Sequence, residues 1–420
     1  MFERTVLPAG PRVISARLPG TRSLALAVYV LVGSRLEDRE RAGVAHFMEH
    51  LTFKGTAAFP STREVSEAIE GGGGTSNAAT DRESTVYWTR LPAREAERAF
   101  SVLAELVVRP LLREADIDRE RDIIVEEIRS YRDDPGQHIY NVFDETFFGD
   151  TPLGWEIAGD EDSVRGLSVD DIHGFWRAGY QPANLVVAAA GDISHDRVVE
   201  LTAQFFGRGN GIVPEFAPAP SLPVRRFAVV TSSIEQAHLC LGLPALRRDH
   251  PDQWTLELLT TVLGDGSSSR LFQNLREDAG LAYDVHAFET DYADCGALQV
   301  YAGVDPHDLP RALKAILVEL ARLRDTEVPA AELDKARAFA CGHLELRLEE
   351  SRHMAAWLGG QEGLHDRVMT LDEALAALSA VTPADIRALA ERLIVDDALS
   401  LAVIAPPGHA RHLESALRLP

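Results

Sequence analysis

Cysteine is scarce in this chain. Cys240, Cys295 and Cys341 are the only three in 420 residues, odd in number and far apart. No C-x-x-C occurs, so neither a disulfide framework nor a thiolate zinc site is indicated, and reduced thiols in a reducing compartment are expected. Long apolar runs are missing as well. The best, Leu24 to Val32, falls well short of the roughly 18 apolar residues of a membrane span and reads as a buried strand. The segment Met1 to Gly20 carries Pro8, Pro11 and scattered arginines where a secretory signal would need an apolar core, so a cytoplasmic protein is expected. Positive charge is in deficit. Lys and Arg number 42 against 65 Asp and Glu, a net charge of −23. That balance speaks against nucleic acid and against an anionic membrane as partners, and is compatible with a cationic one.

What is present is ordinary globular material, 45% hydrophobic and 25% charged, in a length that suits two to three domains of roughly 100–200 residues each. Strand-like runs are expected within 12–33 and 75–90, and again at 184–190. Helices are expected at 41–54, 61–71, 92–108, 114–131 and 196–206. A glycine- and proline-rich stretch, 209–223, reads as a linker between a domain at 1–208 and another at 224–420. After it the order restarts: strands at 226–231 and 236–243, helices at 250–263 and 267–277, strands within 281–303, then two long helices at 307–324 and 329–349. A final strand, 399–404, and a terminal helix close the chain. The two halves share one order of elements, which points to an internal duplication and to α+β layers with helices packed on a sheet.

The strongest local signal is His46-Phe47-Met48-Glu49-His50 on the helix expected at 41–54. Residues four apart on a helix are separated by only about 40°, so both imidazoles share one side and Glu49 lies on the same face. Two imidazoles so spaced can bind a tetrahedral Zn2+, and a carboxylate beside them can take a proton from water. The flanking Val44, Phe47, Met48 and Leu51 mark the helix as buried, where ionisable groups need partners. A third ligand is required, and a carboxylate would leave one position open. The helix at 114–131 offers Glu120 and Glu127, two turns apart on one face beside Ile123 and Ile124, while Glu126 points elsewhere.

Taken with their surroundings, these residues resemble the pitrilysin/insulinase family of zinc metallopeptidases, in the branch that includes mitochondrial processing peptidase and its bacterial relatives. The match runs from His46 through Leu51-Thr52-Phe53-Lys54-Gly55-Thr56, then Asn77-Ala78-Ala79-Thr80 and Glu83-Ser84-Thr85-Val86-Tyr87. It continues with Glu120 to Ile128 and Asp133-Asp134-Pro135, then Ser268 to Phe272 and Arg276 to Tyr283. The resemblance implies a fold of two tandem homologous domains, each a mixed β-sheet with helices packed on it, forming half of a clamshell. It implies that His46, His50 and Glu127 ligate one zinc ion per chain, that Glu49 is the general base, and that Glu120 orients a ligand histidine. It implies further that Arg276 and Tyr283 reach substrate and that the edge formed by Asn77, Ala78 and Ala79 pairs with substrate backbone.

The second copy reads Asp252-Gln253-Trp254-Thr255-Leu256-Glu257 where the first has its histidines, so no second metal is expected. By the same resemblance, two chains enclose a chamber and hydrolyse extended or unfolded peptides, as a homodimer or as a heterodimer with a companion subunit. A non-catalytic or partner-dependent subunit on the same scaffold is the alternative, and the intact His46, Glu49, His50, Glu120 and Glu127 set weighs against it.

Overall fold

Two sheets built to one plan organise the chain. The computed structural model describes residues 2–8, 10–207, 209, 214–220 and 226–420, so residues 210–213 and 221–223 of the linker expected at 209–223 lie outside the described residues. The strands are β1 (Glu3–Val6), β2 (Arg12–Arg17), β3 (Ser23–Val30), β4 (Thr75–Thr80), β5 (Thr85–Pro92), β6 (Leu185–Gly191), β7 (Arg226–Thr231), β8 (Ala237–Pro244), β9 (Ala282–Asp291), β10 (Gly296–Val304) and β11 (Ser400–Ala405). Up to β6 the helices are α1 (Val44–Thr52), α2 (Thr62–Glu70), α3 (Ala96–Val108), α4 (Glu114–Asp133), α5 (Pro135–Phe148), α6 (Glu161–Gly166) and α7 (Val169–Gly179). Beyond it come α8 (His195–Phe205), α9 (Gln253–Gly264), α10 (Leu309–Asp325), α11 (Ala330–Leu348), α12 (Ser351–Leu364), α13 (Leu371–Ala380), α14 (Pro383–Leu393) and the short α15 (Leu413–Ala416).

The first sheet runs β1-β2-β6-β3-β5-β4 and the second β7-β11-β8-β10-β9. In each, one parallel pair (β2 with β6, β7 with β11) adjoins antiparallel strands. Leaving β1 aside, the two orders superimpose strand for strand, and both are mixed sheets with helices packed on them. The central strands β3, β6, β8 and β11 are buried along nearly their whole length. Strands covered on both faces read as continuous apolar runs, as these do. The edge strand β4, Thr-Ser-Asn-Ala-Ala-Thr, is short, built of small residues, and exposed at alternate positions.

Chain order and spatial grouping differ. One compact unit comprises residues 1–129, 156–217 and 345–370; the other comprises 130–155, 218–344 and 371–420. The contiguous halves 1–208 and 224–420 therefore exchange one helix each. Helix α12, from the second half, packs on β2, β3 and β6 of the first sheet, where Ala355 and Leu358 meet Ile14, Ala27, Tyr29 and Ala188. Helix α5, from the first half, packs on β7, β8 and β11 of the second sheet, through Ile139, Phe143 and Phe147. The approach of α12 is close: a Cβ on Gly359 would lie 2.5 Å from the Tyr29 ring and 2.8 Å from the Ala188 methyl. Glu362, 2% exposed, anchors the helix through ion pairs at 2.6 Å to Arg4 and 3.7 Å to Arg12. The segment expected as a helix at 267–277 is a π-helical turn at Phe272–Asp278. Among the described residues no helix is long and apolar enough to cross a membrane.

Candidate metal centre

Helix α1 is fixed at its start before any ligand is placed. Gly43 precedes it with φ +95°, a left-handed conformation that L side chains rarely adopt, and a Cβ there would lie 2.4 Å from the Ala158 carbonyl oxygen. No side chain at Gly43 caps the helix. The buried Glu37 does so from outside, accepting hydrogen bonds from the backbone N–H of Gly43 (2.8 Å) and of Ala45 (2.7 Å). These are two of the donors a helix leaves unpaired at its N-terminus. Val44, Phe47, Met48 and Leu51 face the core, and His46, Glu49 and His50 are left on the other side.

Across from them, α4 supplies Glu120 and Glu127. Glu127 Oε2 lies 3.4 Å from His50 Nε2, and its Oε1 lies 3.9 Å from His46 Nε2. One donor atom from each of His46, His50 and Glu127 falls within 4.8 Å of the others, and among the described residues this is the side-chain group that can hold a metal ion. Two atoms at about 2.0–2.2 Å from one tetrahedral ion stand roughly 3.3–3.6 Å apart. The His50–Glu127 separation falls in that range, the His46–Glu127 separation is slightly longer, and all three donors lie within 4.8 Å of one another. The donor set, two imidazoles and a carboxylate, suits zinc, with cobalt and manganese as chemical competitors. The residues therefore fit the group.

The surrounding contacts set the charge states. Glu120 is 1% exposed; its Oε2 lies 3.3 Å from His50 Nδ1 and its Oε1 2.7 Å from Lys54 Nζ. Burial by itself would raise the Glu120 pKa, but the hydrogen bonds from His50 and Lys54 outweigh it and hold the carboxyl below its usual value. Burial would lower the pKa of His50, yet Glu120, Glu127 and Glu49 together lift it to about 9. His46 moves the other way, lowered by burial and by the His50 charge. Its Nδ1 is buried without a hydrogen-bond partner. In the protonated ring, Nδ1–H faces Glu120 and Nε2–H faces Glu127; loss of the Nε2 proton leaves Nδ1–H on Glu120 and frees the Nε2 lone pair for a metal ion. Glu49 accepts a hydrogen bond from Thr80 Oγ1 at 2.6 Å, and burial raises its pKa against that bond.

The structure thus brings His46, Glu49, His50, Glu120 and Glu127 together. Asn77, Ala78 and Ala79 lie on β4, the edge of the same sheet, whose far end is the Thr80 that contacts Glu49. On that edge the Ala78 N–H is held by Asn77 Oδ1 at 2.9 Å. Arg276 and Tyr283 belong to the second unit. Tyr283 is 77% exposed, and the Arg276 guanidinium lies 4.7 Å from the Phe272 ring centre and 5.8 Å from that of Tyr283. Three contributors escape sequence reasoning: Glu37, Lys54 and Thr80. Lys54 and Thr80 fall in stretches that carry the family resemblance but receive no role there; the four-residue spacing of Lys54 from His50 is the physical signal that could have found it.

Residues 12–161 match the family described as Insulinase (Peptidase family M16), and residues 166–339 match the Peptidase M16 inactive domain. The chain belongs to the M16 peptidase family. It is 37% identical to an uncharacterized zinc protease of Streptomyces coelicolor, over 96% of this chain and 89% of the relative. It is 32% identical to the uncharacterized zinc protease YmxG of Bacillus subtilis, over 97% of this chain and 99% of the relative. A crystal structure of a protease from Helicobacter pylori shares the fold with a TM-score of 0.92 and 26% identity, covering 97% of this chain and 99% of that one.

Proposed function

We propose that this chain is a zinc-dependent endopeptidase that hydrolyses extended or unfolded peptides, within the branch of the family that includes mitochondrial processing peptidase. The observation that carries this is the convergence of His46, His50 and Glu127 within 4.8 Å, with Glu49 on the same turns of helix. When bound, zinc supplies Lewis acidity, polarising the scissile carbonyl and lowering the pKa of a water it holds to about 7.

The chain's own residues do the rest. Glu49 accepts the proton of the attacking water and returns it to the leaving amine; its raised pKa brings it nearer the range useful for both transfers. Thr80 keeps the Glu49 carboxylate aimed. Glu120 holds the His50 tautomer. The open edge of β4, at Asn77, Ala78 and Ala79, aligns substrate by main-chain pairing, which favours breadth over strict sequence choice. Arg276 and Tyr283 hold substrate polar groups, a role taken from the family resemblance and supported by their mutual contact. Two copies enclosing a chamber would admit unfolded chains only; a companion subunit is the other arrangement.

The test is hydrolysis of a quenched mixed-sequence peptide, with Glu49→Gln alongside and zinc quantified in both. Wild type is expected to cleave. The variant is expected to keep its zinc and lose about 10²–10⁴-fold in kcat, the usual worth of a general base. Cleavage by Glu49→Gln at the wild-type rate would remove Glu49 from this role.

A further inference from the structure

In the first unit most arginines face a carboxylate, as Arg35 does Glu83, Arg98 Glu95, Arg109 Glu105 and Arg113 Asp116. Arg22, Arg90 and Arg352 have no ion-pair partner among the described residues, in a chain whose net charge is −23. Arg90 and Arg352 lie on one face of the β4–β5 hairpin, and Arg22 lines the cavity at its Thr75 end. Directly opposed residues of neighbouring strands share a face of the sheet. The register Thr75↔Arg90, Asn77↔Trp88 and Ala79↔Val86 therefore puts the exposed Thr75, Asn77 and Ala79 on the face of Arg90 and Trp88. The Arg352 guanidinium lies over the Trp88 ring, 4.5 Å from its centre. At the Thr75 end, Arg22 and Arg90 line an open cavity of about 450 Å³. The nearest acid on the hairpin, Asp81, lies past the other end of β4 and is occupied by the Arg82 N–H. The alternate residues Ala78 and Thr80 point the other way, toward the core and Glu49.

We infer that this face of β4 selects acidic peptides, taking one carboxylate opposite Asn77 against Arg352 and a second opposite Thr75 against Arg22 and Arg90. The inference rests on the proposed pairing of substrate with β4. A strand added to that edge alternates its side chains between the metal side and the arginine side. Those on the arginine side recur every two residues, about 6.5–7 Å apart, which is also the spacing of the Trp88 and Arg90 rows. Guanidinium recognises carboxylate through paired N–H···O bonds, and an unpaired guanidinium has that capacity unused. The overall acid excess suggests a cationic substrate; the local distribution along the substrate edge is of opposite sign, and it is the local field that an aligned peptide meets.

The experiment uses the full-length, zinc-loaded protein and three otherwise identical peptides of about 12 residues that carry Glu, Gln or Lys at two positions two residues apart. Both Kd, by fluorescence polarisation on Glu49→Gln, and kcat/KM, on wild type, are measured. The expected order is Glu, Gln, Lys. About tenfold should separate the first from the last, since two or three exposed charge pairs act together, and the gap should narrow at 0.5 M salt. Reversing charge with Arg90→Glu and Arg352→Glu should invert the order. Because Arg352 packs on Trp88, Arg22→Glu serves as a second variant that should shrink the preference by itself. Equal values for the Glu and Lys peptides, a preference for Lys, or an order unchanged in the reversed variants would overturn the inference. Should no peptide be cleaved, the peptidase reading fails on kcat/KM, while the order of Kd still decides the charge preference.

Discussion

At the scale of single residues, His46 and His50 are driven in opposite directions from a free imidazole, and His50 is the one held charged. Glu120 and Glu127 hold it protonated at neutral pH when no metal is present, with a pKa of about 9. A metal ion must displace that proton to reach Nε2, whereas His46, pushed below its ordinary value, is already neutral at pH 7. Zinc affinity should therefore rise with pH, by about tenfold per unit between pH 6.5 and 8.5, and level off above pH 9. Competition against a chromophoric chelator at three pH values measures this; a flat profile from pH 6.5 to 8.5 would contradict the assigned His50 state. The face shared by His46, Glu49 and His50 is readable from sequence because the helical period alone fixes it. The choice of Glu127 over Glu126 follows from the same period on α4. The role of Thr80 was not readable, because a threonine in an ordinary strand carries no mark of the helix side chain it will meet.

The elements show where a pattern misleads. Pro135 reads as the stop of α4, and α4 does end at Asp133, but the same proline sits at the first turn of α5, where its missing N–H costs nothing and Asp134 caps the next two. Helix α12 is hidden by Gly359, Gly360 and Gly363, which look like breakers, and by Gln361 and Glu362, which look like a solvated face. Here the glycines permit close approach to the sheet, and Glu362 is buried against arginines. The long, strongly patterned strands and helices needed no such context and were legible, with ends shifted by a few residues.

For α1, the element that carries the histidines, the fixed start has measurable worth. Gly43→Ala places a Cβ against the Ala158 carbonyl at positive φ and should cost about 1–3 kcal/mol. Glu37→Ala removes the cap on two N–H groups and should cost about 1–2 kcal/mol. Both should lower the melting temperature and weaken zinc binding, while a substitution such as Arg63→Ala, on an exposed turn of α2, should do neither.

For the whole molecule, the repeated strand order was legible as a duplication because both halves present the same sequence of periods. The exchange of α5 and α12 was not, since no residue pattern states which of two similar sheets a helix will cover. A fragment ending at residue 217 lacks α12 and leaves Ile14, Ala27, Tyr29 and Ala188 open to water. It should bind a hydrophobic dye and melt without a sharp transition. Supplying residues 345–370 as a separate peptide should restore a cooperative transition, and Glu362→Ala in that peptide should weaken the rescue, since Arg4 and Arg12 lose their buried partner.

The same exchange has a consequence on the ribosome. Domains that are contiguous in the chain close as soon as their last residue emerges, but the first sheet, in the unit that holds the candidate metal ligands, must wait for Leu364, 147 residues past residue 217, where the unit's earlier stretch ends. At about 5–20 residues per second that is a delay of roughly 7–30 s. Through that interval the nascent chain holds one apolar sheet face uncovered, so the period of greatest exposure to chaperones, and to misassociation on crowded polysomes, is written into the order of its helices.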